Sequence, residues 1–213
     1  ERQIRAAQGQ GGEAQPAGKD LSAYWRQAPA ARPAASVPAS GETAPSWQDP
    51  QAFIDELRPA AERTAEDLGV PPRALLAQAA LETGWGQRML RTAEGEPSYN
   101  VFNIKAHGWD GDTVSVPTLE YRDGMAVRER AEFRSYDSLN AAFDDYARFI
   151  KDNPRYAEAL RAGDDAGAYA QALEDAGYAT DPEYAEKLRR ILDGPGLNES
   201  VSGLKDSPDR PST

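Results

Sequence analysis

Helical periodicity in this chain is confined to one stretch, from about Gln48 to Asp193, with low-complexity sequence on either side. The first fifty residues are rich in Ala, Gln, Gly, Pro and Ser, and Gly194 to Thr213 is again Pro, Ser, Gly and Asp. Segments of that composition bury too little apolar surface to offset the entropy of ordering them. One domain of ordinary size is therefore expected over 49–193, with a low-complexity arm and linker at 1–48 and a disordered tail at 194–213. Pro33, Pro38 and Pro45 mark the linker as partly extended. Trp25 and Trp47 stand out in it as aromatic residues that either dock or stay exposed.

Within the foldable stretch the elements come in three groups. Phe53, Leu57, Ala60, Ala61, Thr64 and Leu68 recur at helical spacing after an Asp49-Pro50 start, and Gly69 ends the run. Pro71-Pro72 opens a second helix whose buried face is Leu75, Leu76, Ala79 and Ala80, and Gly84 stops it. Thr113–Val116 and Ala126–Phe133 then read as strands, with Asp123-Gly124 as their hairpin turn and Gly108–Asp112 as a second turn cluster. Helices return after Tyr136, capped by Asp137 or Ser138, by Asn153-Pro154, by Asp164 or Asp165, and by Asp181-Pro182. The expected class is α+β: a mostly helical lobe interrupted by a small β-hairpin lobe.

Composition removes several functions. A net charge of −11 disfavours nucleic acid, which needs a basic footprint. The absence of cysteine rules out a disulfide scaffold and a thiolate metal site. With a single histidine, His107, no metal or other cofactor is called for, and no acidic loop has calcium-binding spacing. No apolar run reaches the length of a membrane span, and the start Glu1-Arg2-Gln3-Ile4 lacks the apolar core of a secretory signal. That start is either a processed or cloned boundary, or export takes another route.

The chemistry concentrates around Ala74–Gly86. Glu82 lies seven residues after Leu75 and three after Ala79, on the side of the apolar stripe and in the last helical turn. Partial desolvation and the negative end of the helix dipole both favour the protonated carboxyl, as a general acid requires. Gly84 and Gly86 leave room for a ligand, and Trp85 offers a flat face for a sugar ring. The plainer alternative is a solvated glutamate at a frayed helix end. Acid-assisted glycoside hydrolysis usually needs a second carboxylate. Glu120, on a strand just before the Asp123-Gly124 turn, is the best candidate, against the alternative of an exposed strand residue. Asp110 and Asp112 read as turn formers.

Six blocks occur in order: ALETGWG at Ala80–Gly86, GEPSYNVFNIKA at Gly95–Ala106, TLEYRDG at Thr118–Gly124, FRSYDS at Phe133–Ser138, NPRYAEAL at Asn153–Leu160 and DAGYATDPEYAEKL at Asp175–Leu188. Together they closely resemble the C-terminal glucosaminidase domain of flagellar peptidoglycan hydrolases, glycoside hydrolase family seventy-three, over about Ala52 to Leu192. The resemblance implies a lysozyme-like fold with a glycan groove between an α lobe and a β lobe. It also implies an endo-β-N-acetylglucosaminidase that cuts the β-1,4 bond after N-acetylglucosamine in peptidoglycan, so that the flagellar rod can pass the wall. Carried over by position, Glu82 matches the acid, Glu120 the second carboxylate and Tyr178 a groove aromatic implicated in catalysis. Tyr99, Asn100, Phe102 and Asn103 match the loop flanking the acid, and with Trp85 they are the expected substrate contacts. The implied setting is a periplasmic monomer, exported by the flagellar route, acting on peptidoglycan strands and meeting rod proteins. The resemblance also implies, for the full-length flagellar proteins, a rod-assembly domain before the hydrolase, and the low-complexity stretch here looks like the tail of that domain plus the linker.

Three mechanisms remain open at this stage: inversion with the carboxyl groups ~6.5–9.5 Å apart, retention at ~5–5.5 Å, or attack by the substrate's own acetamido oxygen. Two competing functions also remain, a lytic transglycosylase and a non-catalytic wall-binding or rod-assembly module. His107 and Lys105 are expected to be solvated. Tyr136, Phe143, Tyr146 and Phe149 are expected in the core, and Trp109 is either a plug of the β lobe or a sugar platform.

Overall fold

The computed structural model describes residues 47, 49–122 and 125–197, and for 118–122 and 125–129 the backbone alone. Helix α1 spans Pro50–Leu68; Asp49 caps it by accepting from Gln51 N, and Gly69 closes it in the left-handed region. Helix α2, Pro72–Thr83, follows after a two-proline start and ends at Gly84. Strands β1, Thr113–Arg122, and β2, Met125–Arg134, pair antiparallel, and Asp123-Gly124, the expected turn, lies outside the described residues. Helix α3 is Leu139–Asp152, with Ser138 as its cap. A 3₁₀ turn at Pro154–Tyr156 leads into the short α4, Ala157–Leu160. Asp165 caps α5, Ala166–Asp175, and α6 is Tyr184–Leu192.

The expected one-sided stripe on α2 is wider than the spacing suggested. Every residue from Ala74 to Ala80 is buried, including Gln78. A helix buried on all sides sits at the centre of its lobe, and α2 packs against α1, α5 and α6. The alanines make this possible, since short side chains let three neighbouring helices approach one axis. The core also runs past both expected domain boundaries, because Trp47 and Leu197 are buried in it. The rest of the expected arm and tail lies outside the described residues.

The hairpin has its own small core. Val114 and Val116 point inward with Phe133 and Leu90, while Thr113 and Pro117 face outward, the period-2 alternation of a half-buried strand. Its root is tied to the helical lobe by charge. Arg134 Nη1 meets Asp145 Oδ2 of α3 at 2.6 Å, Tyr136 Oη donates to the same oxygen at 2.7 Å, and the guanidinium lies 4.8 Å from the Trp109 ring centre. Trp109 is thereby a plug at the base of the β lobe, its Nε1 donating to Asp112 O. Tyr136, Phe143 and Tyr146 are buried, Phe149 is half-buried and His107 is exposed.

Candidate functional site

The site begins where α2 stops. Gly84, Trp85 and Gly86 have φ of 57°, 59° and 80°, so three consecutive residues turn the chain sharply away from the helix axis. Thr83 anchors the turn, donating to Ala79 O at 2.7 Å and accepting from Gly86 N at 2.9 Å. At Gly86 no other residue fits, since a Cβ there would stand 2.3 Å from Trp47 Cε3 and 2.9 Å from Phe53 Cδ2. Glu82 is thus held in the last turn of the most buried helix, itself half-buried.

Both carboxylate oxygens of Glu82 have partners. Tyr184 Oη of α6 donates to Oε1 at 3.1 Å, and Asn103 Nδ2 approaches Oε2 at 3.2 Å while donating to the backbone carbonyl of Glu82 at 2.8 Å. Asn103 has φ 50°, a conformation asparagine tolerates better than most residues. The turn that presents it is fixed by Asn100, whose amide donates to Ile104 O and Arg134 O and whose carbonyl accepts from Ile104 N. Tyr178 Oη donates to Phe102 O at 2.7 Å from below.

The eight expected site residues therefore separate by position. Glu82 and Asn103 touch each other. Asn100 and Phe102 are buried supports, Phe102 stacking on Tyr146 with ring centres 3.8 Å apart. Tyr178 is also fully buried, its ring stacked at 5.8 Å on Tyr184 and its hydroxyl committed to Phe102. Trp85 packs edge-on to Phe53, and its ring lies against Gly196. Tyr99 faces a separate cleft of about 820 Å³ between 92–99 and the hairpin root, which does not include Glu82. Glu120 lies in β1 opposite Val127, and its side chain is outside the described residues.

Two residues that matter to Glu82 escaped the sequence. Tyr184 reads as one more apolar position of the last helix, yet its hydroxyl meets the acid. Gln78 donates to that hydroxyl at 3.1 Å. A signal for Gln78 existed: it is the one polar residue in the Ala74–Leu81 run, four positions before Glu82 and so on the same helix face. Burial pushes the Tyr184 phenol well above its ordinary range, and the Glu82 charge adds to the effect; for Tyr178 burial dominates, followed by Tyr184 and Glu82. Both phenols therefore stay protonated and serve as donors.

A helical lobe, a hairpin lobe and a half-buried carboxylic acid at the end of the central helix define a lysozyme-like glycoside hydrolase. Residues 58–197 match the family described as glucosaminidase, mannosyl-glycoprotein endo-beta-N-acetylglucosaminidase, and the chain belongs to that family. It is 46% identical over 153 residues to peptidoglycan hydrolase FlgJ of Vibrio parahaemolyticus serotype O3:K6, covering 71% of this chain and 49% of the relative. It is 48% identical over 145 residues to FlgJ of Escherichia coli strain K12, covering 68% and 46%. The chain thus spans about half the length of these relatives. Among solved structures, the peptidoglycan hydrolase of Sphingomonas sp. A1 superposes with a TM-score of 0.66 at 43% identity, over 75% of this chain and 98% of that one. The glycoside hydrolase domain of Salmonella typhimurium FlgJ superposes with a TM-score of 0.60 at 41% identity, over 74% and 95%.

Proposed function

We propose that this chain cleaves the glycan strand of peptidoglycan as an endo-β-N-acetylglucosaminidase, with Glu82 as the proton donor. The observation that carries the proposal is the placement of Glu82. It is half-buried, rigidly seated on the central helix, and bonded by one tyrosine and one asparagine. A carboxyl so placed can protonate a glycosidic oxygen, the step common to every route considered. Relatives named peptidoglycan hydrolase support the substrate.

In this proposal Glu120, carried on the hairpin arm, is the second carboxylate. Tyr178 acts from beneath by holding the Phe102–Asn103 turn and the Tyr184 ring. The proposed glycan path runs past Trp85 and on into the cleft that Tyr99 faces, with the buried Asn100 and Phe102 holding the turn between them. The catalytic unit is the stretch expected at 49–193 together with Trp47 and Leu197, which join its core, between the remainder of the expected arm at 1–48 and tail at 194–213. It works as a periplasmic monomer, delivered by the flagellar export route, and opens the wall for the rod, whose proteins are its partners.

The test is Glu82→Gln on purified sacculi. Cleavage is expected to vanish while folding and sacculus binding persist; undiminished cleavage sinks the assignment. Two Lactococcus lactis relatives at 36–37% identity are named probable N-acetylmuramidase, so the bond itself needs its own readout. Mass spectrometry of the wild-type digest should show reducing N-acetylglucosamine ends. Reducing muramic ends would place the chain with the muramidases, anhydro-muramyl ends with the transglycosylases, and pelleting without cleavage with wall-binding modules.

A further inference from the structure

Five side chains form one hydrogen-bonded file through the middle of the helical lobe. From the acid inward, Tyr184 Oη lies 3.1 Å from Glu82 Oε1, and Gln78 Nε2 lies 3.1 Å from Tyr184 Oη. Tyr146 Oη is 2.6 Å from Gln78 Oε1, and the Tyr146 and Tyr169 hydroxyls are 2.6 Å apart. Gln78, Tyr146, Tyr169 and Tyr184 are all buried. Donor and acceptor directions follow from the chemistry of each group. Gln78 Oε1 can only accept, so the single phenolic proton of Tyr146 is committed to it. Tyr169 is then the donor to Tyr146. The amide end of Gln78 offers only N–H, so Tyr184 Oη accepts there, and its own proton points at Glu82 Oε1.

We propose that Tyr184, its donor direction set by Gln78 and Tyr146, is a positioning residue that aims its O–H at Glu82 Oε1 and so holds the carboxylate left by proton transfer. This rests on Glu82 being the acid. The Tyr184 proton has no other acceptor within this file, so it is committed to Oε1. Asn103 supplies a second donor, its Nδ2 reaching Glu82 Oε2 at 3.2 Å and the Glu82 backbone carbonyl at 2.8 Å. On transfer the O–H bond of the Glu82 carboxyl breaks, a new O–H bond forms at the glycosidic oxygen, and the electron pair stays on the carboxylate. That carboxylate meets a donor already aimed at it, so nothing must reorient as charge develops.

Other titratable groups stand near this file among the described residues. Tyr184 comes from α6 and Tyr178 from the segment before it, both protonated through burial. Arg88, from the turn after α2, lies against Gly84, and the Lys187–Asp181 ion pair stands at the start of α6. From the hairpin, Glu120 lies outside the described side chains.

The test is the pH dependence of sacculus hydrolysis by the full chain. Activity needs the protonated acid, so it falls on the alkaline limb. Tyr184→Phe removes a donor from the carboxylate and should move that limb upward by about one pH unit, with a several-fold lower maximum rate. Tyr184→3-fluorotyrosine keeps the shape, strengthens the donor and should move the limb downward, which decides the matter even if the phenylalanine variant fails to fold. A merely structural tyrosine would lower the yield of active enzyme and leave the limb in place, and an unmoved limb in the fluorinated protein overturns the proposal. Glu82→Gln measured alongside separates the two claims. Full activity in that variant removes the acid itself, whereas loss of activity with unmoved limbs removes only the positioning role.

Discussion

Trp47 and Gly86 touch so closely that any side chain on the glycine would enter the indole, the Cβ position being 2.3 Å from Trp47 Cε3. Trp47 is the first described residue of the chain, and its Nε1 donates to Glu56 at 2.5 Å. The sequence before the domain thus ends in an anchor pressed onto the turn that follows the acid.

Gly86→Ala should therefore be costly. It adds a left-handed backbone penalty at φ 80° to a clash with two aromatic rings. A loss of roughly 3 kcal/mol is expected, seen by calorimetry as a midpoint roughly 5–10 °C lower. An unchanged midpoint would mean that Trp47 is not seated there in solution.

Asn103→Gly separates support of the acid from stability. Glycine tolerates φ 50°, so the backbone should survive within about 1 kcal/mol, while both amide bonds to Glu82 are lost. Sacculus hydrolysis should fall about tenfold. Wild-type rates in a folded variant would show that the amide contributes nothing to catalysis.

Glu120→Gln tests the second carboxylate. If it activates water or attacks the sugar, the rate should drop at least about a hundredfold with the fold intact. A rate equal to wild type would direct the mechanism to the substrate's own acetamido oxygen.

Alkaline stability carries a distinct signature. Burial pushes Tyr156 up to about 12, and burial likewise raises Tyr136, Tyr146, Tyr169, Tyr178 and Tyr184 above their ordinary range. In the unfolded chain each phenol ionises near 10. The unfolded state thus loses protons first, and stability is complete below about pH 10 and lost as pH rises further. For Tyr156 that loss runs through about 12. The phenolate absorbance of these six tyrosines should appear in one cooperative step together with loss of circular dichroism. Reversible ionisation of these tyrosines near pH 10 in a folded protein would contradict their burial.

The sequence reveals helix boundaries well where local chemistry sets them. Asp49, Ser138 and Asp165 cap where polar residues precede an apolar run, and Gly69 and Gly84 stop helices because they accept positive φ. The hairpin strands extend further than the alternation suggests, to Arg122 and from Met125, because cross-strand pairing continues beyond the half-buried segment. Around the acid, Glu82 and Asn103 are visible as residues of the right type in the right blocks. Tyr184 is not, since 102 positions separate it from Glu82 and only packing of α6 on α2 joins them. Tyr178 and Phe102 carry a pattern that suits an open groove equally well, and tertiary packing places both inside.

Mounting the acid on a helix that three others enclose ties catalytic geometry to the melting of the lobe as a whole. The proposed proton donor shares the rigidity of that helix, so a substitution that loosens the centre is expected to cost rate and stability together. Freedom to change glycan preference is expected instead in the hairpin arm, which among the described residues is joined to the helices by charge at its Arg134–Asp145 root. Among natural variants, altered specificity should therefore accumulate in that arm, while the Ala74–Glu82 segment tolerates little beyond exchanges of equal volume.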